Sequence, residues 1–347
     1  MVKTFISQRL EALSLTPQAL GAMGSVLMFF ILKNASEQEI LKRQDKLFRE
    51  VLRHAYFNSS FYREYYSSHG IKPKDLNDIL HKDLPFTDKQ MIAENIDRIF
   101  TDPELTKDGI NKWLIQDHNP YHLYKKKFFV LMTSGSSGEP SIFVYHKNEF
   151  FYSSLLSTMR VQSLGGKTFI PKCAFCAATH NHFTGATLFA NRPERIIRTK
   201  LISIIDPLEK ILKELNDFQP NMIFGYPSTI LILAECAKNK KLHINPKKII
   251  TSGELLTEEI SARIASAFHV EPGDTYAATE MLGTGFRQNA RNNMTFFDDL
   301  NLLEIIDRRN KDVCLPPGEV GGAVITNLFN KTTPLIRYKL NDAVKVI

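Results

Sequence analysis

Cysteine is scarce in this chain. Four thiols in 347 residues cannot form a disulfide scaffold. A chain of that length buries a core large enough to fold without such staples, and low cysteine use fits a reducing compartment. Long apolar runs are also lacking. The longest, Val26–Leu32, extends only weakly back to Leu20 and falls well short of the ~20 residues that a membrane-spanning helix needs. It follows a mixed-charge stretch, lies far from the N-terminus and has no small-residue cleavage site, which argues against a secretory signal. We read it as a helix buried in the fold, with an interfacial helix as the second reading; the expected compartment is the cytoplasm. There is no internal repeat, no low-complexity tract and no Ser/His/Asp nucleophile signature.

What is present is globular in composition, 43% apolar and 23% charged. The length corresponds to about two domains. A net charge of +7 admits anionic partners. However, the basic clusters at Lys125–Lys127, Arg192 to Lys200 and Lys238 to Lys241 interleave no aromatics. They read as solvated surface, and no nucleic-acid partner is expected.

Ser36 followed by Glu39 forms a capping box. Ile40, Leu47, Val51, Leu52 and Ala55 then recur at helical spacing, which predicts a helix to Tyr56. Loop-rich sequence with short helices follows to Asp88. From Phe128 onward, short apolar runs alternate with helical ones. Strands are expected at Phe128–Met132, Ile142–Tyr145, Ile202–Ile205, Met222–Phe224 and Ile249–Thr251. Helices are expected after Asp206, Ser228 and Thr257. This alternation predicts an α/β fold of mostly parallel sheet covered by helices. Leu302–Ile306 and Ala323–Thr326 add a β-rich subregion near the end. In such sheets ligands sit at the carboxyl ends of strands.

Three motifs occupy such positions. Thr133-Ser134-Gly135-Ser136-Ser137-Gly138 follows a strand directly. Its glycines permit tight turns, and its hydroxyls and amides can donate to phosphate oxygens. It lacks the Gly-Lys-Ser/Thr ending of a Walker loop, which argues against a kinase-type P-loop. Asp274-Thr275-Tyr276-Ala277-Ala278-Thr279-Glu280 offers a carboxylate for a hard cation and a tyrosine able to stack on a base. Arg337-Tyr338-Lys339-Leu340-Asn341-Asp342 ends in a carboxylate suited to a ribose diol.

In this order and at these separations the motifs resemble the adenylate-forming superfamily of acyl-CoA synthetases, most closely its phenylacetate-CoA ligase-like branch. That branch also includes capsule-associated proteins and a deazaflavin-coenzyme adenylyltransferase. Two upstream segments strengthen the resemblance, Leu52 to Arg63, which contains His54-Ala55-Tyr56, and Leu84-Pro85-Phe86-Thr87-Asp88-Lys89. The resemblance implies ATP and Mg²⁺ as cofactors, a small carboxylate as substrate and CoA as a second substrate.

By the same resemblance, Thr133, Ser134, Gly135, Ser136, Ser137 and Gly138 would wrap the ATP phosphates. Ser252-Gly253-Glu254 and Tyr276 would flank the adenine, and Asp342 would take the ribose hydroxyls. Thr279 would lie near the α-phosphate and Glu280 would hold Mg²⁺. His180, Phe183, Tyr226 and Pro227 would line the acyl pocket. Arg337 matches a motif arginine with no assigned role. Residues 1–125 would be an N-terminal helical region packed on the core, and 126–347 an adenylation core.

The sequence departs from the superfamily pattern in three places. Glu139 and Ser141 stand where a lysine is common, and Lys339, Leu340 and Asn341 replace three motif members. The chain ends at Ile347, soon after Asp342, so the mobile C-terminal lid domain is expected to be absent. The alternative readings are a nucleotide-binding remnant or fragment that has lost turnover, or an adenylyltransferase acting on a non-acyl acceptor. Separately, Cys173, Cys176, His180 and His182 are zinc-type ligands at compact spacing; the competing reading is buried apolar thiols.

Overall fold

The computed structural model describes residues 24–25, 27–32, 34–133, 141–164, 172–192, 194, 197–307 and 313–345. The Ser36 capping box forms: the Ser36 amide donates to the Glu39 carboxylate at 2.8 Å and the Glu39 amide returns to the Ser36 hydroxyl. Helix α1 (Glu37–Asn58) then buries Phe48, Val51, Leu52, Ala55 and Tyr56. Ser59 caps α2 (Ser60–Ser68). Helices α3 (Lys89–Ile99) and α4 (Lys107–Gln116) follow. The apolar run near the N-terminus is helical over residues 27–32, but only partly buried. Phe29 packs on the core, whereas Leu27, Phe30 and Ile31 are exposed.

Strands β1 (Phe128–Met132) and β2 (Ile142–His146) pair with each other as an antiparallel hairpin, apart from the main sheet. Their link is too short for the crossover that parallel pairing demands. After α5 (Lys147–Leu164), the main sheet is built from β3 (Lys172–Ala177), β4 (Arg198–Ser203), β5 (Met222–Gly225), β6 (Lys248–Ser252), β7 (Gly273–Ala278), β8 (Leu282–Arg287) and β9 (Thr295–Phe296). The order is β4-β3-β5-β6-β7-β8-β9. The first five are parallel, and β8 and β9 return antiparallel. Helices α6 (Thr184–Ala190), α7 (Leu208–Phe218), α8 (Pro227–Lys238) and α9 (Glu258–Phe268) connect the strands.

The sheet is covered on both faces, as the sequence predicts. Ala174 and Cys176 pack with Ile211, Ile230 and Ile264 on one side, while Cys173 and Phe175 pack with Phe189 and Phe286 on the other. A third, antiparallel sheet joins β10 (Asn301–Ile306), β11 (Val320–Asn327) and β12 (Tyr338–Lys345). One helix start differs from expectation. Asp206 does not cap α7; its carboxylate pairs with Lys210 at 2.9 Å, and Pro207 takes the cap position without a side-chain bond.

The segment around Thr87 runs alongside β12. Its amide donates to the Arg337 carbonyl at 2.9 Å, and the Lys339 amide donates to its carbonyl at 2.8 Å. The Tyr62 hydroxyl donates to the Pro334 carbonyl at 2.9 Å. One hydrophobic cluster runs from Val51 and Tyr62 through Phe129 to Ile336. The N-terminal helices are therefore fastened to the strands that carry the last motif.

Gly225 ends β5 against β3. A Cβ there would lie 2.5 Å from the Cys176 carbonyl oxygen, and backbone cannot yield as a flexible side chain does. Gly225→Ala is expected to lower unfolding free energy by about 1–3 kcal/mol, the range for overpacking, measured by urea denaturation. An unchanged midpoint would show that the two strands separate freely here.

Candidate active site

Thr133, which opens the first motif, and the second and third motifs meet around the carboxyl end of β7. Side chains alternate along a strand, so Thr275 and Ala277 face a cavity while Tyr276 points to the opposite face. There its hydroxyl donates to the Asp342 carboxylate at 2.8 Å. Two residues 66 positions apart thus touch. Residues 279 and 280 are fixed between the two faces. The Tyr145 hydroxyl donates to the Thr279 carbonyl at 2.8 Å, and the Thr184 and Thr279 hydroxyls lie 2.7 Å apart. Asn327 Nδ2 donates to the Glu280 carbonyl at 2.9 Å.

Burial is the main force on Glu280 and raises its pKa above the usual carboxylate value. The Asp342 carboxylate adds to the rise, while Lys89 and a hydrogen bond from Tyr338 oppose it. Burial likewise raises the pKa of Tyr276, and its bond to Asp342 adds to that. The result is two neighbouring carboxylates, one of them largely desolvated. That arrangement suits an incoming cation. Among the described residues no group of three or more His, Cys, Asp or Glu side chains could cage a metal. The Glu280 carboxylate at this strand end has the chemistry to take Mg²⁺ together with substrate phosphates, the usual mode for that ion.

On the other face lies a cavity of about 460 Å³. Thr133, Ser252, Gly253, Thr279 and Glu280 line it at the strands' carboxyl ends. Deeper, Phe175, Phe189, Met222, Phe224 and Phe297 make it apolar. Gly253 has φ +82°, and a Cβ would sit 3.0 Å from the Tyr226 ring. The turn after β6 therefore requires glycine on both conformational and steric grounds.

The sequence-predicted residues divide as follows. Thr133, Phe183, Tyr226, Ser252, Gly253, Thr279 and Glu280 line the cavity. Tyr276 and Asp342 meet on the reverse face. Glu254 does not face the cavity: it is exposed, and its carboxylate accepts from the Ser228 amide at 3.0 Å and the Ser228 hydroxyl at 2.9 Å. A negative charge is favoured at the start of α8, which otherwise has no side-chain cap. His180 is exposed and meets Phe183 edge-on at 5.2 Å, outside the lining. Pro227 is buried in the first turn of α8, where a missing amide costs nothing. Ser134, Gly135, Ser136, Ser137 and Gly138 lie outside the described residues. The base of that loop is closed by two hydrogen bonds, Thr133 amide to Ser141 carbonyl at 3.1 Å and Ser141 amide to Thr133 hydroxyl at 2.9 Å.

Arg337 acquires a structural role. It is buried, pairs with Glu304 at 2.9 Å, donates to the Lys82 carbonyl at 2.7 Å and to the Leu84 carbonyl, and lies over the Phe86 ring. Thr184 falls in the stretch from His180 to Gly185 that the resemblance assigns to the acyl pocket, and it lines the cavity. Sequence reasoning gave no site role to Arg192, Tyr338 or Lys89, although Tyr338 and Lys89 both lie in segments that carry the resemblance.

The zinc reading fails on strand geometry. Cys173 and Cys176 are three apart on β3 and pack in the clusters on opposite faces. Both are buried, which pushes the Cys173 thiol up to about 12 and the Cys176 thiol higher still. His182 is buried, packs at a tilt against Trp113 with ring centres 4.4 Å apart and bonds the Asp117 carbonyl at 3.1 Å. Of the four thiols only Cys314 is exposed. One fast equivalent with a thiol reagent is expected in native protein, and four after unfolding. Two fast native equivalents would contradict the burial of β3.

No family model matches the chain. Its sequence is 24% identical over 329 residues to a phenylacetate-coenzyme A ligase of Pseudomonas putida, covering 91% of this chain and 69% of that protein. It is 22% identical over 325 residues to protein CapK of Staphylococcus aureus, covering 89% and 63%. The crystal structure of 2-hydroxyisobutyryl-CoA ligase in complex with 2-HIB-AMP and CoA matches with a TM-score of 0.71 at 19% identity, over 89% of this chain and 64% of that one. The chain spans less than two thirds of the length of the latter two proteins. These relatives bear out the resemblance to the adenylate-forming superfamily and its phenylacetate-CoA ligase-like branch. The solved structure bears out the mixed α/β fold. No helix among the described residues is long and apolar enough to cross a membrane.

Proposed function

We propose that this chain activates a carboxylic acid with ATP, giving an acyl-adenylate and pyrophosphate for later transfer to the CoA thiol. The observation that carries the proposal is the meeting, at one strand end, of the Tyr276–Asp342 pair, the Thr279–Glu280 segment and an apolar cavity. The adenosine would lie against Tyr276, with its ribose diol on Asp342. The substrate's apolar body would fill the cavity, and its carboxylate would emerge beside Thr279. A carboxylate oxygen then attacks the α-phosphorus as the bond to pyrophosphate breaks. Positioning and charge stabilisation supply the catalysis. Mg²⁺, held by Glu280, would supply charge neutralisation at the phosphates.

The test is carboxylate-dependent exchange of labelled pyrophosphate into ATP. Exchange with at least one aryl or aliphatic acid is expected, and none with any acid would refute the reading. The pH dependence has a definite sign. Burial raises the pKa of Glu280, so its protonated form persists above the ordinary value near ~4.3. In the ligand-free fold this favours the protonated state; that stabilisation is complete below the unfolded pKa and is lost as pH rises through the folded one. Binding Mg–ATP requires the ionised form. Titrations in buffers of different ionisation enthalpy should therefore show proton release on binding at mildly acidic pH. Proton uptake would contradict the assignment.

A further inference from the structure

Resting on that reading of the cavity, we propose that the acid it accepts carries a second anionic group, at the end remote from the carboxylate that is activated, and that Arg192 is the specificity-determining partner of that group. Among the described residues lining the cavity, only Glu280 and Arg192 carry a charge. Glu280 stands at the carboxyl end of the sheet with Thr133, Ser252 and Thr279. Arg192 stands among the apolar residues. Its guanidinium lies 3.6 Å from the centre of the Phe189 ring, which stacks on Phe175 at 4.2 Å.

No carboxylate pairs with Arg192 among the described residues. Its Nε is buried without a hydrogen-bond partner, and the ring of Phe189 is its nearest described counterpart. A buried cation is tolerated when it is paired, and an aromatic face compensates only partly. Burial lowers its pKa to about 10, so it keeps its charge at neutral pH. Arg337, which is buried, is by contrast paired with Glu304. Among the described residues Arg192 has no counter-charge, and we expect one to arrive with the ligand.

The position also sets the length of the ligand. Arg192 lies over Phe189, which packs in one cluster with Cys173 near the start of β3, whereas Ala177 and Ala178 line the cavity at the other end of that strand. Four residues of strand span ~13 Å. The second anionic group would thus lie roughly 10 Å from the reacting carboxylate. This suits an arene substituted at opposite ends or a medium-chain diacid, with its apolar middle between Phe175, Phe224 and Met222.

Matched pairs test the proposal by direct calorimetric binding: octanedioate against octanoate, and 4-(carboxymethyl)benzoate against phenylacetate. Wild-type protein should bind each diacid about 30-fold more tightly than its monoacid partner, the order expected for a buried charge that gains its partner. Arg192→Met should abolish that preference, and Arg192→Lys should retain part of it. Equal or weaker binding of both diacids by wild type would overturn the proposal, whatever the variants do. ATP binding, titrated in the same samples, keeps the two readings separate. A protein that binds ATP and supports monoacid exchange but ignores diacids refutes the role of Arg192 and leaves the adenylation reading standing.

Discussion

Glu280→Gln is expected to lower carboxylate-dependent pyrophosphate exchange by a factor on the order of 10²–10³, the usual cost of removing one preorganised charge-stabilising group. The fold should not suffer. Glu280 is half-buried, its carboxylate is raised by desolvation, and a second carboxylate, Asp342, stands nearby. Replacing it by a neutral amide removes a desolvated charge and the repulsion together, though it also gives up the attraction of Lys89. The melting temperature of the ligand-free variant should therefore equal or exceed that of wild type. The backbone at this position is held independently by Asn327, so the carboxamide would stay in place. Loss of exchange together with a preserved melting temperature separates a catalytic role from a structural one. Full exchange in the variant would remove Glu280 from the chemistry. A collapse in stability would mean that the carboxylate is part of the fold's framework.

The largest expected stability effect belongs to Arg337. Both members of its pair with Glu304 are nearly inaccessible, at 3% and 8% exposure. Arg337→Met leaves the Glu304 carboxylate buried without its cation, a change that typically costs about 3–5 kcal/mol. It also removes the bonds to the Lys82 and Leu84 carbonyls, which tie the segment leading to Lys89 onto β12. Urea denaturation should show the full loss for Arg337→Met. Much of it should be recovered in the double variant Arg337→Met with Glu304→Met, because an uncharged pair leaves no stranded ion. Equal stability of the single variant and wild type would show that the pair is solvated after all.

The strand–helix alternation was readable because buried parallel strands show continuous apolar runs, and most expected strands reappear nearly at their bounds; the one expected at Ile202–Ile205 instead runs from Arg198 to Ser203, because residues 204 and 205 already turn toward α7. The capping boxes and turns were local, and locality is what sequence reading captures. Its failures share one cause. Whether Phe128–Met132 pairs with its neighbour or enters the main sheet is a tertiary choice. So is the destination of the Asp206 and Glu254 carboxylates, which pair with Lys210 and Ser228. Glu254 falls inside a motif, and its carboxylate bonds the first turn of α8. Cys173 and Cys176 looked like a ligand pair because spacing in a list ignores the pleat that sends them to opposite faces. Arg192 belongs to a basic cluster that reads as solvated surface, and nothing in its neighbours' types shows that it will stand at a cavity against a phenylalanine ring. The proximity of Tyr276 to Asp342 was implied only by the resemblance; no pattern of spacing contains it.

The central claim is that one adenine nucleotide is gripped between the end of β7 and β12. Photolabelling with 8-azido-ATP, followed by peptide mapping, tests it most directly. The label should fall on the peptides carrying Tyr276 and the 338–345 strand, and should be competed away by ATP and Mg²⁺. Labelling that ATP does not suppress, or that maps to peptides remote from both strands, would contradict it.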